Sequence, residues 1–430
     1  MKIIMLSIDK SILRDGSEAQ ERMKEYGSIA EELHIIVYTD TGFKERKISE
    51  NAWVYPTNTV FKLFYFFNAY RIAKRIIHNS SFIIHNSLIT SQDAFTNIVA
   101  FFLKKKFGLS LQAQIHTDFL SPFFKSESWK NYIRYLLYPR TIKKADCVRV
   151  VSERIKSSIV SILKIYDSKI SVLPIFIDAE KIKKTPVTYN LHKKYPEHDF
   201  IVLMASRLTR EKNIETACLA FGEVVKVHSK SLLVIVGEGP LKKTLKEKYE
   251  NLGKNVRKPS FPSLRPRATE GSVAGSNPKT AYLEIASVAS LPRNDVLGQS
   301  SKYSNIIFED AVSYEMLVSY YKTADLFLLT SNYEGYGRTI IEALASGLPV
   351  FSTDVGIASE VIKDGKTGKI LPVGISPKNL ASELIKVFSE DDLYNNMKQN
   401  VNDFASFFSM PSKEEYLLKM KAGFESCAKK

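Results

Sequence analysis

The sequence predicts an α/β protein of two doubly wound, parallel-sheet domains. Three observations carry that prediction. Short apolar runs alternate with helical patterns from Met1 to about residue 172. The alternation lapses over residues 173–199 and restarts at Phe200. The strand-like runs are apolar throughout rather than on every second residue, so each sheet is parallel and covered on both faces. At 430 residues, the chain is long enough for two domains with cores of their own.

In the first part, the predicted strands are Ile3–Ile8, His34–Tyr38, Phe82–His85, Leu111–Ile115 and Cys147–Val151. Helical patterns over Glu18–Glu32, Phe61–His78, Ser91–Lys106 and Ser128–Lys144 lie between them. Ligands of such sheets bind at the carboxyl ends of the strands. That rule singles out Asp9–Ser17, His85-Asn86-Ser87 and His116-Thr117-Asp118. Asp15-Gly16-Ser17 also fits a plain turn with an N-cap, and His85 also fits a structural role. His116 ends a strand and opens a polar loop, a position suited to function.

Leu173-Pro-Ile-Phe-Ile-Asp178 and the Lys-rich stretch after it read as the crossing between domains. The expected first domain is 1–180 and the second 181–410. Phe200–Ala205 is a buried strand followed by the loop Ser206–Asn213, and Leu232–Val236 is a strand ending in Gly237-Glu-Gly-Pro240. Residues 257–302 are rich in Pro, Ser, Gly and Arg and far too long for a helix-to-strand loop, which usually takes about 2–6 residues. They read as a disordered insertion joining a helix end to the strand Asn305–Phe308, at the edge of the sheet away from the cleft. A closing helix is expected within 411–430.

The net charge is +15, and residues 1–184 hold 29 Lys and Arg against 18 Asp and Glu, a net +11. Such a basic face suits nucleic acid, an anionic membrane or a polyanionic substrate; a solvated lysine-rich surface is the plain alternative. Val60–Ile77 and Phe101–Phe107 mix bulky apolar and basic residues, as interfacial helices do and as helices that cover a sheet also do. The cysteines, Cys147, Cys218 and Cys427, are far apart without a C-x-x-C, so neither a disulfide nor a zinc site is expected, which suits a reducing compartment. The opening residues read as a first buried strand rather than a signal peptide, and no run approaches the ~18 apolar residues of a membrane span.

The informative stretch is residues 325–354. A buried strand, Leu326–Leu329, runs into a glycine-containing loop with Glu334; a short helix carrying Glu342 stops at Gly347; a second strand follows at once. Glycines let backbone approach a ligand, and a helix N-terminus aimed at the loop favours an anion. Arg207 and Lys212, on one strand-end loop, provide a planar fork and a point charge, both suited to phosphate. Gly237-Glu-Gly239 lacks the third glycine of a dinucleotide fingerprint, but its place after a buried strand suits a nucleotide contact. The sequence has no D-x-D pair to hold a metal on a diphosphate. These residues together describe a site for an anionic, hydroxyl-bearing ligand without a metal.

Glu334-Gly-Tyr-Gly-Arg-Thr-Ile-Ile-Glu342 resembles the E-x7-E signature of the retaining glycosyltransferases of family 4, which have the GT-B fold of two Rossmann-like domains. Ser206-Arg207-Leu-Thr-Arg-Glu-Lys212-Asn213 resembles that family's phosphate-binding segment, and Val236–Pro240 resembles its base-side loop. Gly356–Glu360 and Asp364–Gly368 match its later pattern. The resemblance spans about residues 200–372 apart from the insertion. Asn213 stands where the family has Gly, and Ile175-Phe176 where it has Asn-Gly.

The resemblance implies a transfer of sugar from a nucleotide-sugar donor to a hydroxyl of a glycan or lipid-linked acceptor, with retention and without metal or other cofactor. It assigns Arg207 and Lys212 to the donor diphosphate and Glu334 to the donor sugar. Glu342 takes the ribose, and the backbone around Gly335, Tyr336, Gly337 and Thr339 takes phosphates and sugar. Gly237 and Glu238 lie near the base, Gly16 marks the glycine-rich loop, and His116 stands by the donor sugar on the acceptor side. The implied setting is cell-envelope polysaccharide or glycolipid synthesis, in the cytoplasm or on the inner membrane face, with no nucleic-acid partner. A sugar-nucleotide epimerase of the same fold and a binding protein with a decayed site are the alternatives.

Overall fold

The computed structural model describes residues 1–79, 86–250, 305–407 and 410–429. The first sheet contains β1 (Lys2–Ser7), β2 (Glu32–Val37), β3 (Arg46–Ser49), β4 (Ala52–Pro56), β5 (Ser87–Ser91), β6 (Ser110–Ile115), β7 (Cys147–Val150) and β8 (Ile170–Val172). Their order is β3-β4-β2-β1-β5-β6-β7-β8, parallel except for the β3–β4 pair. The second contains β9 (Phe200–Ala205), β10 (Ser231–Val236), β11 (Ile306–Glu309), β12 (Leu326–Leu329), β13 (Val350–Thr353) and β14 (Gly368–Leu371). Their order is β11-β10-β9-β12-β13-β14, all parallel. Strands buried from end to end, such as Leu326–Leu329 and Ser231–Val236, fit sheets covered on both faces.

Three details depart from the sequence reading. The third predicted strand, Phe82–His85, lies outside the described residues, which omit 80–85; a strand that was not expected, β5, follows at Ser87–Ser91. β5 is Ser-Leu-Ile-Thr-Ser, fully buried although three of its five side chains are hydroxyls. Thr90 accepts from Gln114 Nε2 at 2.8 Å and Ser91 bonds to Asn97, so partners rather than apolarity make it a strand. The short strands β3, β4 and β8 were not anticipated. The expectation of no disulfide is corrected: Cys147 on β7 and Cys427 are joined, with Cα atoms 5.8 Å apart across a sequence separation of 280. Cys218 is free and buried. The insertion 257–302 lies outside the described residues; β11, which follows it, is the edge strand.

The helix Lys413–Ala428 returns to the first sheet and lies against β5 and β6. A capping box at Ser412 and Glu415 starts it. Tyr416, Met420 and Phe424 enter a core shared with Met23 and Tyr26 of the helix Glu18–Ser28.

The two domains share a further core. Phe119, Phe124, Ile155 and Ile159 of the first pack with Tyr333, Tyr336 and Ile341 of the second. Arg154 reaches across, donating to the Gly356 carbonyl at 3.2 Å and to Ser359 at 3.1 Å, and pairing with Asp354. Ser152 donates to the Gly335 carbonyl at 3.2 Å.

Candidate active site at the domain cleft

β9 and β12 are neighbours at the centre of the second sheet, and their carboxyl-end loops meet at the cleft. The β12 loop is held from below. Thr330 Oγ1 donates to the carbonyls of Lys212 and Asn213 at 3.0 and 3.1 Å, Asn332 N donates to the Glu211 carbonyl at 2.7 Å, and Thr353 Oγ1 donates to the Ser331 carbonyl at 2.6 Å. Fixed in this way, the loop sets Glu334 against Lys212: the two form an ion pair, with Ser331 Oγ donating to Glu334 at 2.8 Å. Arg207 is exposed and donates to Glu211 at 3.0 Å. Asn213 adopts φ 48° and ψ 41°, the left-handed conformation for which glycine is the usual choice and which asparagine tolerates. The sequence departure at this position therefore leaves the loop geometry intact.

A cavity of about 400 Å³ opens here between the domains, lined by Arg207, Lys212, Glu334 and Gly335 from one side and His116 and Thr117 from the other. Five of the expected site residues, His116, Arg207, Lys212, Glu334 and Gly335, scattered over more than two hundred positions, thus line one cavity. A side chain on Gly335 would overlap the backbone of His116, so the closeness of the domains requires glycine at this point.

His116 follows β6 and is kept neutral. Burial, with Arg149 and Arg22 nearby, pushes its pKa from 6.5 down to about 3. Its Nε2 lies 3.3 Å from Gln114 Oε1, which also accepts from Arg149 Nη1 at 3.0 Å. An acceptor at that position assigns the ring proton to Nε2 and leaves Nδ1 as a base.

The helix Arg338–Ala345 starts at Gly337, whose φ is 88°, and presents its N-terminus to the cleft. Tyr336 is buried in the interdomain core and Thr339 is half-buried. Glu342, 4% exposed, is held by Tyr321 OH at 3.3 Å and Arg338 at 3.2 Å. Burial raises its pKa above the ordinary 4.5, against the pull of Arg338 and Tyr321. Arg338 also pairs with Glu18 of the first domain at 3.6 Å.

Not all expected residues meet in one place. Gly16 lines a second cavity, which shares His116 with the first. Gly237 and Glu238 follow β10 and line neither cavity; Glu238 is paired with Lys242 at 2.6 Å. Sequence reasoning missed Asp93, Glu127, Asn131, Arg134 and Tyr333, which also line the first cavity. Arg134 donates to Asp93 at 2.9 Å, Asn131 donates to Tyr333 OH at 3.4 Å, and Tyr333 OH is bonded to Glu127. Only Tyr333, beside Glu334, and Asn131 with Arg134, one helical turn apart, offered any local signal.

Residues 190–259 and 299–404 match the family model described as glycosyl transferases group 1. The N-acetyl-alpha-D-glucosaminyl L-malate synthase of Bacillus anthracis is 24% identical over 311 residues, 71% of this chain and 66% of that protein. The alpha-monoglucosyldiacylglycerol synthase of Streptococcus pneumoniae is 27% identical over 169 residues, 39% of this chain and 27% of that protein. The aligned region is thus less than two thirds of the length of these curated relatives. Among solved structures, sucrose-phosphate synthase of Thermosynechococcus elongatus superimposes with a TM-score of 0.68 at 17% identity, covering 99% of this chain and 98% of that one. WaaG, a glycosyltransferase involved in lipopolysaccharide biosynthesis, superimposes with a TM-score of 0.62 at 12% identity, covering 98% of each chain. The chain has the GT-B fold, and the domain that carries Arg207, Lys212, Glu334 and Glu342 matches the family model of the glycosyl transferases group 1.

Proposed function

We propose that the protein is a retaining, metal-independent glycosyltransferase that moves a sugar from a nucleotide donor to a hydroxyl of a glycan or lipid-linked acceptor in envelope synthesis. The observation that carries this is the convergence of Arg207, Lys212, Glu334 and His116 on one cavity between the domains. Lys212 and Arg207 would take the donor diphosphate and stabilise the charge that grows on it as the glycosidic bond breaks. The N-terminus of the helix Arg338–Ala345 adds its partial positive charge. Glu334 would hold the sugar hydroxyls and Glu342 the ribose. The acceptor oxygen attacks C1 on the face the phosphate leaves, forming the new C–O bond as the C1–O(phosphate) bond breaks. The acceptor proton passes to the departing phosphate oxygen. The relatives named as glycosyltransferases and synthases of glycosylated products support this reading.

The test is a panel of sugar nucleotides, scored by thermal stabilisation and by release of nucleoside diphosphate with and without added acceptors. One donor should stabilise the protein, and its product should keep the donor's anomeric configuration by NMR. A donor converted to a free epimer without any acceptor would overturn the transfer reading.

The acceptor side carries the membrane part of this proposal. The helices Tyr65–Asn79 and Ala94–Phe107 contain no Asp or Glu, and they carry Arg71, Lys74, Arg75 and Lys104–Lys106. On them Phe67 and Phe102 are 70% and 54% exposed, and just before the first Phe61 and Leu63 are 65% and 77% exposed. A groove between the two helices, lined by Phe66, Phe67, Tyr70, Ile98 and Phe102 with Lys105 and Lys106, is nearly all apolar. Exposed aromatics ringed by lysines fit the boundary of an anionic bilayer. No described helix is long and apolar enough to cross one. Flotation with vesicles containing anionic lipid should bring the protein up, and Phe67→Ser with Phe102→Ser should release it. A wild-type protein that stays at the bottom at moderate salt would sink the membrane assignment and leave the transfer reading standing.

A further inference from the structure

Arg149 sits inside the first sheet, on β7, and is 4% exposed. A buried guanidinium ordinarily has a carboxylate beside it, because removing charge from water is costly unless an opposite charge replaces the solvent. This one has neutral partners. It donates to Gln114 Oε1 at 3.0 Å, to the Leu173 carbonyl at 3.1 Å and to Tyr416 OH at 3.2 Å, and its Nε has no partner among the described residues.

The same side chain lines the second cavity, about 520 Å³, which lies between the helices Glu18–Ser28 and Lys413–Ala428 and opens beside the interdomain segment at Phe176. Arg22 lines it too and makes no ion pair among the described residues. The carboxylates around the cavity already have partners, and Arg338, Lys413 and Lys181 among those partners line the cavity as well. Glu18 is paired with Arg338 at 3.6 Å, Glu21 with Lys24 at 2.7 Å and Glu25 with Lys413 at 2.6 Å, while Asp178 accepts from the Lys181 backbone at 2.8 Å. That leaves Arg149, Arg22 and Lys181 as the lining cations without an ion pair among the described residues, beside Tyr26, Tyr314, Tyr416 and Gln114; the lining reaches His116, which also lines the first cavity.

We propose that this cavity is an oxyanion subsite, in which Arg149 and Arg22 hold a carboxylate or phosphate carried by the acceptor. The proposal rests on the transfer reading for the word acceptor. The cavity adjoins the proposed donor-sugar position through His116, and Arg207 and Lys212 already provide the cations a donor diphosphate needs. An anion seated here would supply the missing countercharge to Arg149. It would also relieve the field of the two arginines on His116, whose depressed pKa is partly their doing.

The experiment uses the full chain with inorganic phosphate and with malonate as separate probes, followed by calorimetry and by the His116 ring resonances. At least one probe should bind, shift the His116 titration upward, and lose tenfold or more in affinity in Arg22→Gln and in Arg149→Gln. In Lys212→Ala the malonate binding, and the part of the phosphate binding that depends on Arg22, should persist. A response to malonate alone identifies a carboxylate, and a response to phosphate alone a phosphate. The proposal is overturned if neither probe binds, or if a folded Arg22→Gln binds like wild type. It is also overturned if binding disappears with Lys212→Ala. Should Arg149→Gln fail to fold, Arg22→Gln decides, with Tyr416→Phe as the control for loss of a neutral partner. Anion binding without turnover of any donor would count against the transfer reading alone; donor turnover without anion binding would count against this cavity alone.

Discussion

The ammonium of Lys212, on the loop after β9, is bonded to the carboxylate of Glu334, on the loop after β12, and the two side chains are 11% and 14% exposed. In the roles proposed for them, one belongs to the phosphate and the other to the sugar. Without donor they neutralise each other, so an arriving diphosphate competes with Glu334 for Lys212 and frees the carboxylate for sugar hydroxyls.

Lys212→Ala is therefore expected to weaken donor binding and slow transfer at least tenfold. It also leaves Glu334 largely enclosed without its cation, at a cost of about 1–3 kcal/mol in stability. Donor-induced thermal shift and urea unfolding measure the two effects separately. A variant with wild-type rates would remove Lys212 from the site.

Gly335→Ala places a methyl group against the His116 backbone, where neither loop can yield without moving a domain. The expected outcome is a destabilisation of about 1–3 kcal/mol, as for other overpacked positions. Transfer should fall more steeply than donor binding, because the two walls of the cavity are pushed apart. Calorimetric melting together with kcat and donor Kd checks both parts.

His116 makes stability depend on pH. Its folded pKa, about 3, lies below the ordinary 6.5, so between those values the unfolded chain binds the extra proton. Stability from this residue is fully present above pH 6.5 and is lost as pH falls towards 3. Urea midpoints at pH 4.5 and 7.5 should differ less in His116→Gln than in wild type.

The Cys147–Cys427 bridge ties the helix Lys413–Ala428 to β7. Reduction, or Cys427→Ser, is expected to lower stability by about 2–4 kcal/mol, the usual range for a native disulfide. Free-thiol counts before and after denaturation, with melting curves with and without reductant, check it. Three reactive thiols in the unfolded, unreduced protein would show that the bridge is not formed.

What the sequence made legible was local. Glu334 and Glu342 stand in a single strand-loop-helix unit, and Arg207 and Lys212 in a single loop, so spacing alone relates them. The Lys212–Glu334 pair joins two strands that are adjacent in space and far apart along the chain, and no period or spacing marks such a neighbour. β5 escaped because its hydroxyls are buried among partners such as Asn97 and Gln114, an arrangement an apolar pattern does not reveal. Asn213 read as a departure and proved conformationally equivalent to the glycine it replaces. Cys147 and Cys427 looked unrelated because 280 positions lie between them, and the returning helix removes that distance.

That helix also sets an order of events during synthesis. Domains generally fold as they leave the ribosome, the N-terminal one first. Here Met23 and Tyr26 share their core with Met420 and Phe424, which emerge only after the whole second domain. The first domain must wait, with one face of its sheet unsealed, while its neighbour is made. Nascent chains halted before residue 413 should therefore leave the earlier-made domain sensitive to protease and the later-made one resistant.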